Sequence, residues 1–388
     1  MQILEVKNSD RAQLLQKSCD ILAQGGLVLF PTETTYGAGV DATNPEAVAK
    51  LLRFKSRREG KPLSIAVPYF AAAEPYAIMN PQAEELAQQF LPGPVTVVVK
   101  GKGAVAPGVE SEFGTLGIRV PDYELLLELL QLYGKPITAT SANGSGEKRP
   151  YSVSDILSGL SAQQSSLIDL ILDAGELPHN PPSTVIDTTL SAPVTLRAGE
   201  IRFGENWSEV GKNAITLTSS SQEETQSIAK RLVLKNWDRL KEVGLVIGLD
   251  GALGAGKTIF AKGVAEFLQI SETITSPTYN YIEEYEYVRH GVTGYLYHLD
   301  MWKVGSEIEF QRLEVTKLLR SKNCVVIEWF GVVEPFLQEF LEKNNVPLLR
   351  VTISELGNMR TLQILEPTLS KLQATAEMSA HNGEKVGK

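Results

Sequence analysis

Cysteine is nearly absent: Cys19 and Cys324 are the only two in 388 residues and lie far apart in the sequence. The chain therefore has no disulfide framework and no thiolate cluster for a metal. The four histidines, His179, His290, His298 and His381, fall in no HExxH or comparable spacing, which removes the common zinc-enzyme pattern and leaves oxygen ligands for any metal. A basic excess is missing as well. Lys and Arg number 37 against 46 Asp and Glu, a net charge of −9. Up to residue 210 there are 17 basic and 24 acidic residues, and beyond it 20 and 22. Neither part has the cationic surplus that drives nonspecific nucleic-acid binding through counterion release. An RNA contact would need a local patch or a partner, and no DNA partner is expected. No apolar run approaches the roughly 18 residues of a membrane span. The opening MQILEVKNSD has no basic segment followed by an apolar one. A reducing, cytoplasmic setting without membrane contact is the expectation.

What is present is the balance of a folded protein: 43% hydrophobic and 21% charged residues, long enough for two or three domains each with its own core. In the first half, strands are expected at 26–30, 62–67, 94–100, 115–120, 136–143, 183–189 and 194–201. Helices are expected at 44–57, where Asn44 and Pro45 suit the cap and first turn, at 81–90 and at 122–132. The polar, Ser- and Gly-rich stretch FGENWSEVGKNAITLTSSSQ separates this α/β region from a second one. Boundaries follow at 1–205, a linker at 206–222, a second domain at 223–365 and a disordered tail at 366–388. In the second domain a helix at 221–237 begins with a capping box, Ser221 and Glu224, and carries the stripe Ile228, Leu232, Leu234. Strands at 245–250, 295–300 and 324–330 alternate with helices, the order of a parallel α/β sheet.

The strand LVIGLD runs directly into GALGAGKT, residues 251–258. This is GxxxxGK[ST] with a strand before it and an amphipathic helix after. Glycines let backbone N–H groups converge on phosphate oxygens, the helix N-terminus adds its positive end, Lys257 reaches the β and γ phosphates, and Thr258 ligates Mg²⁺. Glu328 and Asp300 each close an apolar strand. A carboxylate there can hold magnesium or its waters across from Thr258, although a solvated strand end reads the same way when taken alone.

Four pieces of this second half, LGAGKT, SPTYNYIEEY, HLDMWKV and IEW, occur in the order and spacing of the TsaE family, P-loop ATPases of bacterial tRNA threonylcarbamoylation, which the region resembles over 215–365. The resemblance implies ATP binding at Gly254, Ala255, Gly256, Lys257 and Thr258, Mg²⁺ at Thr258 and Glu328, and catalytic work for Asp300 and Glu328. It brings Thr225 toward adenine, and makes Ser276, Thr278 and Tyr279 a nucleotide-sensing segment, where a plain Ser-Pro-Thr turn fits equally. The family commonly has Asp at the position of Ala252 and Tyr-Arg where Trp302-Lys303 stand, so this chain lacks a carboxylate beside the phosphates.

In the acidic first half, Lys50, Arg53, Lys55, Arg57, Arg58 and Lys61 crowd into twelve residues. A solvated basic face is one reading. The other is a phosphate site, in which an extended KxR at 55–57 sends two cations to one side. Small hydroxyl loops accompany the run: Thr32 in PTET, Ser141 and Asn143 in TSAN, Ser183 in PST. No nucleophile with a base is evident, so positioning and charge stabilisation are the expected catalytic modes, with Lys55 and Arg57 as the catalytic cations. PTETTYG, KSR, KPLSI, LPGPVT, GTLGIRVP, TSAN and STVID together resemble the YrdC/TsaC family of threonylcarbamoyl-AMP synthases over about 10–205. The resemblance implies a twisted mixed α/β fold around a basic cavity. The implied reaction joins L-threonine, bicarbonate and ATP into threonylcarbamoyl-AMP and pyrophosphate. Thr32, Arg119 and Ser183 would hold threonine, and Lys55, Arg57, Thr115, Ser141, Asn143 and Arg197 the ATP or adenylate. The histidine that longer members carry after the PL segment is absent from SIAV.

The whole then reads as a fusion of two steps in threonylcarbamoyladenosine biosynthesis, with a TsaB–TsaD transferase as partner and tRNA contacted through that complex. An RNA-binding module joined to an ATPase motor is the alternative. A small-molecule kinase ranks last for want of an Arg-rich lid.

Overall fold

The computed structural model describes residues 1–56, 63–144, 147–201, 214–277, 280–357 and 359–366. Its contacts divide the chain into two compact units, Met1–Asn206 and Trp207–Lys388.

In chain order the first unit consists of β1 (Gln2–Glu5), α1 (Arg11–Ala23), β2 (Val28–Pro31), β3 (Tyr36–Gly39), α2 (Pro45–Phe54), β4 (Ser64–Ala66), β5 (Ala77–Ile78), α3 (Pro81–Phe90), β6 (Val95–Gly101), β7 (Thr115–Arg119), α4 (Glu124–Tyr133), β8 (Ile137–Ser141), α5 (Val153–Ser158), α6 (Ala162–Ser165), β9 (Leu170–Asp173), β10 (Thr184–Asp187) and β11 (Val194–Arg197). The strands order as β1-β9-β2-β3-β8-β4-β7-β6-β10-β11, with β5 on β6. Parallel pairs such as β2/β9 and β4/β7 alternate with antiparallel ones such as β2/β3 and β6/β7, so the sheet is mixed. Every residue of β2 is buried, and its period of two sends Leu27 and Leu29 to one apolar cluster and Val28 and Phe30 to another. Cover on both faces explains why this strand reads as a continuous apolar run. Asn44 caps its helix as expected, Oδ1 accepting from the N–H groups of Glu46 and Ala47, and Asn80 Oδ1 likewise accepts from that of Ala83, meeting donors that a helix leaves unpaired.

The second unit contains β12 (Ala214–Ser219), α7 (Gln222–Lys235), α8 (Trp237–Val243), β13 (Leu245–Asp250), α9 (Lys257–Phe267), β14 (Ile282–Arg289), β15 (Val292–Asp300), α10 (Glu307–Arg312), β16 (Cys324–Glu328), α11 (Phe330–Lys343), β17 (Leu348–Leu356) and β18 (Met359–Leu365). The sheet order is β12-β18-β17-β13-β16-β15-β14. Strands β17, β13, β16 and β15 are parallel, as a P-loop α/β fold requires. The strands expected at 245–250, 295–300 and 324–330 are thus parallel neighbours, and antiparallel strands are added at the edges. Residues 214–219, expected as linker, form β12 and pair with β18: they alternate exposed and covered positions, the pattern of an edge strand. Ser221 caps α7 by accepting from Glu224 N–H, but the Glu224 carboxylate returns to Ser220 rather than Ser221, so the capping box closes one residue early. Val233 rather than Leu234 completes the buried stripe. Helix α7 approaches α9 closely at Gly263, where a Cβ would stand 2.6 Å from the Gln226 backbone. The expected tail lies, apart from Glu366, outside the described residues.

Candidate functional site

In the first unit Lys55 is the C-cap of α2 with helical backbone, and Ser56 after it is left-handed at φ 49°. Helix geometry thus persists to Lys55, and the extended KxR does not form there. Arg57, Arg58 and Lys61 lie outside the described residues. Lys55 is only 8% exposed. Its ammonium donates to the carbonyls of Ser141 (2.7 Å) and Asn143 (2.6 Å) and to Asn143 Oδ1 (3.2 Å). None of these acceptors is a carboxylate. Burial pushes the Lys55 pKa down to about 8, with Glu147 pulling the other way. Ser141 donates to Asn143 Oδ1, and Asn143 Nδ2 donates to the carbonyls of Glu147 and Lys148. The TSAN loop is thereby folded around the lysine.

A second group gathers at the ends of β2, β7, β10 and β11. Arg119, leaving β7, donates from one terminal nitrogen to Glu33 Oε1 and to Thr34 Oγ1, both at 2.7 Å. Thr32 turns back into its own loop, donating to the Thr35 carbonyl at 2.6 Å, yet lines a small cavity with Arg119, Ala66 and Thr140. Arg197 donates to the Ser183 carbonyl (2.9 Å) and Oγ (2.7 Å), and Ser183 Oγ lies 3.2 Å from Thr96 Oγ1. The residue expected at adenylate therefore rests on one expected at threonine. Crowding by protein atoms, then the like charges of Arg119 and Arg149, push the Arg197 pKa down to about 10. Thr115 begins β7, its Oγ1 2.6 Å from Ser111 Oγ.

In the second unit Gly254 (φ 83°) and Gly256 (φ 110°) hold backbone angles that side chains rarely adopt, and α9 starts at once after them. Lys257 folds back on its loop: Nζ donates to the carbonyls of Gly251 (2.8 Å) and Ala252 (3.0 Å) and lies over the Trp329 ring. Burial lowers its pKa, against the nearby Glu328, Asp300 and Asp250. Thr258 Oγ1 donates to Glu328 Oε1 at 2.8 Å. Asp300 and Glu328 are cross-strand partners between β15 and β16, and Asp300 Oδ2 accepts from Ser276 Oγ at 3.2 Å. His298, fully buried, joins Glu328 Oε1 (2.9 Å) to the Thr275 carbonyl (3.1 Å). Thr225 is buried in bonds to Ser219 Oγ and the Ser221 carbonyl, so its hydroxyl is used inside the fold and the adenine expectation gains no support. Ala255 is buried within the loop. Thr278 and Tyr279 lie outside the described residues. Thr258, Glu328 and Asp300 offer the oxygen donors that Mg²⁺ prefers.

Sequence reasoning missed Glu33, Thr34 and Arg149 in the first unit and the bridging role of His298 in the second. Glu33 and Thr34 stand inside the quoted PTET, and His298 inside HLD. The signal was present, but its partners, Arg119 and Glu328, are remote in sequence.

A putative threonylcarbamoyl-AMP synthase of Methanocaldococcus jannaschii is 32% identical over 201 residues, covering 52% of this chain and 93% of that protein, and residues 20–199 match the Sua5/YciO/YrdC family model, described as telomere recombination. The chain belongs to the Sua5/YciO/YrdC family. A threonylcarbamoyl-AMP synthase of Pyrococcus abyssi is 34% identical over 211 residues, covering 54% of this chain and 61% of that one. Residues 219–360 match the TsaE family, described as a threonylcarbamoyl adenosine biosynthesis protein, so this Sua5/YciO/YrdC enzyme carries a TsaE domain. A solved P. abyssi Sua5 variant shares the fold, with TM-score 0.50 at 23% identity over 91% of this chain and 99% of that one. No helix among the described residues is long and apolar enough to cross a membrane.

Proposed function

We propose that the first unit condenses L-threonine, bicarbonate and ATP into threonylcarbamoyl-AMP and pyrophosphate. The second then binds and hydrolyses MgATP in support of a TsaB–TsaD transferase, with tRNA reached through that complex. The observation that carries the first half is the buried Lys55 ammonium, held only by neutral oxygens, in the same unit as the Arg119, Arg149 and Arg197 guanidinium groups. Cations without enough anions favour a polyanion and a carboxylate as guests. Arg119 takes the threonine carboxylate bidentately, and Lys55, Arg57 and Arg197 hold the triphosphate, with Ser141, Asn143 and Thr115 orienting the nucleotide. Such charges stabilise the pentacovalent α-phosphorus and the departing pyrophosphate without a covalent enzyme intermediate.

In the second unit the backbone of Gly254–Thr258 cradles phosphates and Lys257 swings from its loop carbonyls onto them. Thr258 and Glu328 would hold Mg²⁺, with Asp300 beside them, and the ion when bound neutralises charge on the transferring phosphoryl group. Glu328 is kept in place by His298 meanwhile. Incubating the full chain with threonine, labelled bicarbonate and ATP, and identifying the adenylate by mass, tests the first activity. Phosphate release without threonine tests the second.

A further inference from the structure

One carboxylate of the first unit has no part in the chemistry so far. Glu33 meets Arg119 through Oε1, both side chains being about seven-eighths buried (13% and 14% exposed). Its other oxygen, Oε2, is buried with no hydrogen-bond partner, and so is Arg119 Nε. Two unmatched polar atoms, one acceptor and one donor, on one ion pair cost free energy unless a guest completes them.

An α-amino acid carries its carboxylate and its ammonium on the same carbon. A site that fixes the carboxylate on a guanidinium therefore presents the ammonium to whatever acceptor stands beside that guanidinium, and here that acceptor is Glu33. The condensation proposed above, on which this inference rests, cannot start from the ammonium, because its nitrogen has no free electron pair. We infer that Glu33 receives the threonine ammonium and is the general base that deprotonates it. One N–H proton passes to the Glu33 carboxylate, and the freed pair attacks the bicarbonate carbon. The C–N bond forms as a C–O bond breaks, the leaving hydroxide taking the second nitrogen proton to depart as water. The products are threonylcarbamate, water and protonated Glu33. The carbamate oxygen then displaces pyrophosphate from the α-phosphorus of ATP.

Other groups in the unit are placed for other work. His179 stacks on Tyr151 and lies 3.7 Å from Glu176, its side chain 65% exposed. The Tyr36 hydroxyl donates to the Gly175 carbonyl and burial pushes it up to about 12. Lys55 spends its protons on Ser141 and Asn143. The charged group that faces Glu33 is Arg119 on β7, and Arg119 acts together with Arg149 on Arg197. From the loop before β10, Asn180 Nδ2 donates to the Glu33 carbonyl at 2.8 Å, next to His179.

The test compares the full chain with Glu33→Gln, which keeps size and shape, and with Glu33→Asp. At pH 7 Glu33→Gln should form the adenylate about a hundredfold more slowly or worse. That deficit should shrink about tenfold per pH unit as solution itself deprotonates the amine, while Glu33→Asp keeps part of the rate. Conversion of prepared threonylcarbamoyl-AMP and pyrophosphate to ATP should lose far less in Glu33→Gln than forward synthesis does, because that direction leaves the C–N bond untouched. Unchanged forward synthesis in Glu33→Gln would overturn the inference. So would a deficit that is constant with pH, or an equal loss in the pyrophosphate-driven direction, either of which marks Glu33 as only a holder of Arg119. An unsubstituted protein that makes no adenylate refutes the reading of the unit as a synthase, a different result from any of these.

Discussion

The Lys257 ammonium lies 4.2 Å from the centre of the Trp329 ring, clamped between that ring and two carbonyls of its own phosphate loop. A ring face and carbonyl oxygens are neutral partners, so the opposite charge comes from further off, from Glu328, Asp300 and Asp250.

Nucleotide should draw Lys257 off Trp329 and change the indole emission. All four tryptophans, Trp207, Trp237, Trp302 and Trp329, follow residue 206, so tryptophan signals report the second unit. Titration with a fluorescent ATP analogue, read by transfer from tryptophan, should show affinity about tenfold or more lower in Lys257→Ala. Equal affinity in the two proteins refutes the phosphate-loop assignment.

Lys55→Met should abolish adenylate formation and leave the phosphate release of the second unit intact, since the two cations serve separate sites. The pH dependence has a definite sign. In the ligand-free protein Lys55 loses its charge as pH rises through about 8, so ATP binding by the first unit should weaken from pH 7 to 9. Equilibrium binding at both values checks this, and Lys55→Met should flatten the dependence.

Arg119→Lys should raise the threonine KM far more than the ATP KM, because a point-like ammonium cannot pair bidentately with a carboxylate or keep Glu33 and Thr34 bonded from one planar group. Initial rates at saturating ATP decide it. An unchanged threonine KM places Arg119 away from the amino acid.

Glu328→Gln and Thr258→Ala should each suppress magnesium-dependent phosphate release by about a hundredfold while adenylate synthesis continues. Thr258→Ala should also raise the magnesium concentration needed. Loss of synthesis in either variant would contradict separate sites. If the unsubstituted second unit binds nucleotide without hydrolysing it, Ala252 is the place to restore an Asp and look for gain.

Period, punctuation and loop chemistry made much of this protein legible in its sequence. The apolar runs at β2, β6, β13 and β16 announce strands because both faces are covered, and Asn-Pro at 44–45 announces a helix start because cap and ring geometry are local. The phosphate loop is local too, a strand, glycines and a helix within fourteen residues. Tertiary structure decided what depends on contacts across the sheets. The edge strands β12 and β14, and β18 beside β12, have weak apolar patterns, since one side faces water, and only their pairing reveals them. Arg119 finds Glu33 at a separation of 86 residues, and His298 finds Glu328 at 30. Sequence supplied each of these side chains, but only the packing of distant strands could say that an acid with a free oxygen stands against the arginine and that a histidine holds the glutamate at the end of β16.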